Sequence, residues 1–421
     1  MIGRIIGSAI LAAVAGAAPA WAQADILSRE SFSGLVDLRL AAADGERSWT
    51  DEAYGKIRYG GPGAGDGLRI TPQLAEAALV WKPRFTWALS GVVHVQHQPE
   101  QEREVDLVEA YLNWKPTPTT AWRYGARAGL FYPPISMEHD DPAWGVTHTI
   151  TPSAINSWVG EEVKVVALEG KLGRSFDSGD EVSVTAAVFD YNDTSGTLLS
   201  LRGWALDDVQ AGAFSGQALP ALPPRYQGIW RGQAEDTYPV YRLDKRVGAY
   251  GRLDWRTSGP LTFNLFYYDN FGNRTAVRNL QWSWDTRFWN FGATLDVDKR
   301  TKLLAQALSG STLEGYPTPR GIWIDVDFNS VYLLATRSYG KASVAGRVEY
   351  FETRDFTWQD RDDNNEHGWA LTGAYRYELT PYATLRLEAL HVASDRPARL
   401  YRATDPHQAQ ILVQSSLRLH F

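Results

Sequence analysis

No cysteine occurs among the 421 residues, so the fold holds without disulfides, and thiolate metal sites and thiol catalysis are excluded. Of the two methionines one is the initiator. No apolar run is long enough to cross a bilayer as a helix: the longest, residues 5–18, falls short of the ~20 residues required. Neither sign of charge dominates, with 42 basic side chains against 49 acidic ones, and the mildly acidic balance argues against nucleic acid as a partner. Motifs of enzymes are missing as well. There is no GxSxG, HExxH or phosphate loop, and Gly60-Gly61-Pro62-Gly63-Ala64-Gly65 precedes no helical pattern, so it reads as a flexible loop. His94 and His97 stand three apart and point to opposite faces of a strand, which removes a shared metal. Asp360, Asp362, Asn364 and Glu366 have the alternation of a calcium loop without its glycine, and a solvated acidic loop is the simpler reading. The expectation is a protein that is no enzyme and needs no cofactor.

What is present begins with an export signal. Arg4 precedes the apolar run, and small residues ending in Ala20-Trp21-Ala22 follow it, so residues 1–22 read as a signal peptide and 23–421 as the mature chain. Losing them leaves 41 basic against 49 acidic residues, a formal charge of −8. Aromatics are abundant, with 17 Trp, 20 Tyr and 15 Phe. Rings that carry a polar atom suit a boundary between apolar and wet phases.

The apolar positions recur with a period of two over most of the mature chain. Phe85, Trp87, Leu89, Gly91, Val93 and Val95 alternate with Thr86, Ala88, Ser90, Val92, His94 and Gln96. Trp122, Tyr124, Ala126, Ala128, Leu130 and Tyr132 do the same, as do Trp369, Leu371, Gly373, Tyr375, Tyr377 and Leu379. Such runs of ~10–12 residues exceed the ~5–6 of soluble sheets and match strands tilted across a bilayer. Short connections near 82–84, 115–120, 173–179, 256–260, 298–300, 338–341 and 379–381 alternate with long ones near 43–70, 97–104, 133–160, 192–245, 270–285, 310–325, 354–366 and 394–408. Seven short turns and eight long loops predict about sixteen strands, eighteen being the alternative, from Phe32 to the C-terminus. The fold class is all-β, a transmembrane antiparallel barrel. Trp81, Phe85 and Trp87, then Trp114 and Trp122, then Tyr377 and Tyr382 flank short turns as an interfacial girdle does.

The final residues complete the pattern. Phe421, Leu419, Leu417, Ser415, Val413 and Ile411 form one face, with His420, Arg418, Ser416 and Gln414 on the other. Here the sequence resembles the outer-membrane β-barrel proteins of Gram-negative bacteria, whose closing strand ends in Phe or Trp after alternating apolar residues, and the nearest relatives look like porins. The resemblance implies that Phe421, Leu419 and Leu417 form the membrane-assembly signal read by the barrel-assembly machinery. It also implies a cell outer-membrane location amid lipid and lipopolysaccharide, a homotrimer, and a pore for small hydrophilic solutes and ions.

The period puts Asp37, Arg39, Arg123, Arg127, Arg252, Asp254, Arg347, Glu349, Arg376, Glu378, Arg386, Glu388 and Arg418 on the inner wall. Arginine keeps its charge, and its planar fork suits carboxylates and phosphates. Cross-strand pairs that stiffen the wall are the plainer reading for most of them. By the resemblance, loop 133–160 folds inside and narrows the bore, and Pro133-Pro134 would turn it off the strand. The expected constriction opposes Glu138, Asp140 and Asp141 to Arg39, Arg123, Arg127, Arg386 and Arg418, a transverse field that filters by charge and size. Loop 192–245, with its proline-rich run at 219–224, is long enough to have structure of its own. Two other functions fit a barrel: a closed adhesin or structural anchor, and a barrel enzyme such as a lipid hydrolase.

Overall fold

The computed structural model describes residues 26–63, 67–221, 233–357 and 362–421. The signal peptide, Asp360 and the end of the proline-rich run lie outside these. Sixteen antiparallel strands close into a barrel in which each pairs with its sequence neighbours. They are β1 (Phe32–Ala43), β2 (Arg69–Trp81), β3 (Leu89–His97), β4 (Val105–Trp114), β5 (Trp122–Phe131), β6 (Val165–Ser175), β7 (Glu181–Asp190) and β8 (Gly248–Arg256). The second half comprises β9 (Leu261–Asp269), β10 (Asp285–Asp296), β11 (Thr301–Thr318), β12 (Gly321–Tyr339), β13 (Ala342–Asp355), β14 (Glu366–Thr380), β15 (Ala383–Asp395) and β16 (His407–His420). β1 and β16 form the seam, in register from Leu35↔His420 to Ala43↔Leu412. Phe421 extends it by exchanging backbone bonds with Gly34, at 3.3 and 3.2 Å. Closure leaves no sheet edge, the condition for a strand protein in lipid.

Alternation decides what each face meets. Leu38 and Leu40 are exposed on β1, whereas Asp37 and Arg39, which alternate with them, are buried inside. Around the outside, Leu168, Val184, Leu265, Phe291, Leu333 and Leu371 are exposed in the same way. An apolar belt of this extent is far larger than the patches of a water-soluble surface. Trp114 packs on Tyr124 at 5.7 Å and Trp255 on Phe263 at 5.8 Å, both beside short turns.

Two connections differ from the sequence reading. The turn expected at 82–84 extends to Ala88, so Phe85 and Trp87 lie in the turn and not on β3. Residues 310–325 are no long loop, because β11 and β12 run on for 18 and 19 residues and meet at Pro319-Arg320. The glycines and prolines that suggested a loop are absorbed in a register shift between Glu314 and Pro317, where Gly315 takes φ 86°.

Three segments from the long-loop end fold into the barrel. Residues 133–164 carry helix α1 (Ala154–Glu162), whose nine residues are all buried, and residues 192–218 carry the short α2 (Thr197–Leu201). Residues 45–60 join them. Trp158 of α1 is the centre of the packing, with ring centroids 5.2 Å from Phe288, 5.3 Å from Phe328 and 6.2 Å from Trp204. The outer half of the barrel therefore holds an aromatic core. Its inner half, toward the short turns, is open: the side chains of Arg123 and Lys171 are each 54% exposed.

Candidate functional site

The plug meets the wall through two unlike surfaces. Against β7–β12 the contact is apolar, with Phe189, Tyr268, Phe266, Phe288 and Phe328 buried around Trp158. Against β13–β16 and β1–β3 it is charged. Both follow from period-two strands whose inward residues are aromatic on one side of the barrel and ionic on the other.

Residues 133–153 form the part of the plug nearest the open half. Tyr132 ends the outward series expected on β5: it is buried, and its hydroxyl donates to Gly160 O at 2.9 Å. Asp141 and Gly145 exchange backbone bonds at 3.1 and 3.2 Å around Ala143 and Trp144, both left-handed at φ 56°. Non-glycine residues hold that conformation only where their surroundings enforce it. The enforcement here is a stack in which Trp144 lies 3.9 Å from Tyr132 on one side and 3.6 Å from His139 on the other. Burial lowers the His139 imidazole to about 3, so it is neutral at physiological pH.

Glu138 anchors the segment to the wall. It accepts bonds from Arg347 Nη1 at 2.9 Å, Ser153 N at 2.9 Å, Ser153 Oγ at 2.6 Å and Asn156 Nδ2 at 2.5 Å. Burial opposes its charge, but Arg347 and the three hydrogen-bonding groups outweigh burial and hold the carboxyl below its ordinary range. Arg347 also donates to Thr151 O and Pro152 O, both at 2.9 Å, and Glu388 accepts from Ile150 N at 2.6 Å. Glu138 thus faces Arg347, a residue outside the opposing set expected from the sequence.

The rest of that set divides in two. Asp141 faces Arg386 at 2.8 Å. Arg418 reaches Asp37 at 3.1 Å and Glu76 at 3.6 Å, and Arg39 reaches Asp37 at 2.8 Å and Asp208 at 2.6 Å. Arg58 continues the series to Asp208 at 2.9 Å and Glu100 at 2.6 Å. Arg386, Arg418, Arg39 and Arg58 therefore form a column along β15, β16, β1 and the first inserted segment. Burial opposes the charge of Asp208, yet Arg39 and Arg58 bring its carboxyl down to about 2. Arg123 and Arg127 lie elsewhere. Arg123 pairs with Glu181 at 2.9 Å on the open inner rim, and Arg127 makes two 2.8 Å bonds to Glu169. Asp140 is exposed and makes no ion pair among the described residues.

Several buried polar atoms on the charged side have no partner among the described residues: Nε of Arg39, Arg58, Arg386 and Arg418, Nη1 of Arg418, both ring nitrogens of His94 and both amide atoms of Gln96. Such atoms also occur elsewhere, among them both carboxylate oxygens of Glu314 and the indole nitrogen of Trp284, and what sets the charged side apart is that they belong to four neighbouring arginines, a lining suited to water or polar solutes. The residues the sequence reading missed, Arg58, Asp208, Arg202 and Lys56, all come from long loops. Arg202 makes a two-point pair with Glu161, at 2.5 and 2.6 Å, and the Lys56 ammonium contacts the Glu366 carboxylate. Burial lowers Lys56 to about 7 against the pull of Glu366.

No protein-family model and no curated protein sequence matches the chain. Solved structures do match in fold. A loop-deletion form of OmpT, an outer membrane protein of Vibrio cholerae, is 9% identical with a TM-score of 0.51 over 93% of this chain and 98% of that one. An anion-selective porin from Comamonas acidovorans is 12% identical with a TM-score of 0.49 over 93% and 98%. The outer membrane channel DcaP of Acinetobacter baumannii is 9% identical with a TM-score of 0.47 over 94% and 99%. At these identities the likeness is one of fold: the chain shares a closed-barrel architecture with the OmpT structure, an outer membrane protein.

Proposed function

We propose that this protein is a porin-like diffusion channel of the outer membrane, passing small hydrophilic solutes along the charged side of its plug without a chemical reaction or a cofactor. The observation that supports this most is the polar seam between the inserted segments and β15–β3, where arginine nitrogens and the His94 and Gln96 side chains are buried yet unpartnered. A barrel built only as an anchor gains nothing from such groups, since each costs about 1–3 kcal/mol unless it is hydrated. The apolar belt supports a membrane location, and the Phe421 seam supports its role in assembly. The constriction is then Asp141 and Asp208 against Arg386, Arg418 and Arg39.

A second reading has its own support. Asn290, Gln306, Tyr332, Arg347, Thr372 and Gln414 are all buried at the level of α1, so the plug fills the bore there. A permanently closed barrel serving as an adhesin or anchor would have this structure. Single-channel recording of the purified protein in a planar bilayer separates the two. Discrete ohmic openings are expected, and silence from protein shown to be folded would overturn the channel.

A further inference from the structure

At the long-loop end, Tyr191, the end of the 192–245 connection and Arg278 of the ribbon Val277–Arg278 with Gln281–Trp282 border a cavity of about 400 Å³. Its polar lining is Tyr191, Tyr241, Arg242, Lys245 and Arg278, with Val240 and Leu243 as the apolar remainder. Three cations thus converge on one small space. Three carboxylates stand beside them: Asp190 lies 2.9 Å from Arg242 Nε, and Asp193 and Asp244 accept from backbone amides of the same segment, while Lys245 and Arg278 form no ion pair among the described residues.

The cations are held in place. Arg242 lies over the Tyr191 ring and Arg278 over the Tyr241 ring, each at 5.9 Å from the centroid. Asn279 Nδ2 donates to the Tyr241 hydroxyl at 2.7 Å and fixes that ring. A guanidinium resting on an aromatic face loses little further freedom when it binds an oxyanion. The backbone is constrained as well: Tyr191 and Lys245 are left-handed at φ 63° and 64°, and Asp193 accepts from Leu243 N at 2.5 Å and Asp244 N at 3.0 Å. Strained residues gather where a binding surface requires them.

From this lining we infer a binding site for a phosphorylated sugar, independent of conduction through the barrel. The three cations select an oxyanion with more than one charge, the phenols suit a hydroxylated ring, and the volume is at the small end of ligand pockets. A cationic lining excludes a metal ion. The same chemistry could be offered by a free sugar phosphate or by the phosphorylated sugars of a glycolipid in the outer leaflet.

The test uses the full-length protein in detergent, titrated calorimetrically with glucose 6-phosphate and with glucose. Glucose 6-phosphate is expected to bind at least about tenfold more tightly than glucose, and Lys245→Ala/Arg278→Ala to lose at least about tenfold of that affinity. Lys245→Arg retains it, and an unchanged thermal unfolding curve establishes that the variants fold. Repeating the titration in nanodiscs with and without lipid A separates the sources. Occlusion by lipid A identifies the membrane glycolipid, and undiminished binding identifies a free ligand. Equal affinity for glucose and glucose 6-phosphate, or for wild type and the double variant, overturns the site.

Discussion

At the residue scale the proposed constriction depends on one carboxylate. Asp141 is held at Arg386 by a turn in which Ala143 and Trp144 are left-handed, and its charge also acts on Arg418. Asp141→Asn keeps the shape of the side chain and removes the charge, leaving that end of the column with a surplus of arginine. The anion-to-cation permeability ratio, read from the reversal potential in a salt gradient, is expected to rise severalfold, and more at low ionic strength because screening weakens the field. An unchanged reversal potential in a protein that still conducts would remove Asp141 from the constriction while leaving the channel standing. Such residues were only partly legible in the sequence. Period two put Asp37, Arg39, Arg386 and Arg418 on the inner wall, because a strand residue's face is fixed by parity. Asp208 and Arg58 were not legible, since loops have no period and Asp208 meets Arg39 across 169 residues of chain.

At the scale of elements, the plug is held together by contacts between its helices. Glu162, at the end of α1, accepts from Trp158 Nε1 at 2.6 Å and from Leu198 N of α2 at 3.0 Å. Burial raises its carboxyl to about 7, beyond what these two bonds offset. A folded-state value above that of the released helix means the docking of α2 is strongest below pH about 4.5 and loses up to about 3 kcal/mol as pH rises through 7. Glu162→Gln removes this slope: it costs about 1 kcal/mol at low pH, because Trp158 and Leu198 donate to different carboxyl oxygens and one of these becomes an NH2 group that cannot accept, and the cost shrinks as the wild type weakens near pH 7. Amide hydrogen exchange over residues 192–211 is expected to accelerate between pH 5 and 8 in the wild type relative to the variant, after correction for intrinsic rates. His139 and His148, whose burial acts in the opposite direction, contribute equally to both proteins and cancel. Parallel profiles would show that Glu162 does not control the docking. Strands and elements were the most legible level: β1, β16 and the seven short turns lie near their expected positions, because alternation and turn residues are local signals. The hairpin at 310–325 was misread for the same reason, since Gly315 and Pro317 are local loop signals that a pairing partner, Ile322 for Pro317, overrides. The helices α1 and α2 carry too little periodicity to be seen beforehand, because a segment buried on every side has no polar face to reveal its pitch.

At the scale of the whole molecule, the barrel separates two apolar environments that composition alone cannot distinguish. Leu333 and Leu334 are neighbours on β12, but Leu333 is 50% exposed in the outer belt, whereas Leu334 is fully buried within the barrel. In a water-soluble protein an arginine at an exposed position such as 333 would be nearly neutral. In a bilayer the same substitution costs about 2–4 kcal/mol near the midplane, since the charge has no partner in lipid. Leu334→Arg is destabilising in either setting, because it forces a charge among packed side chains. Reversible unfolding in lipid vesicles and in detergent micelles distinguishes these cases. Leu333→Arg is expected to lose about 2–4 kcal/mol in vesicles and much less in micelles, where surfactant deforms around the charge, while Leu334→Arg loses stability in both. A Leu333→Arg protein as stable in vesicles as the wild type would mean that this belt does not face lipid, and the membrane reading of the barrel would fall with it.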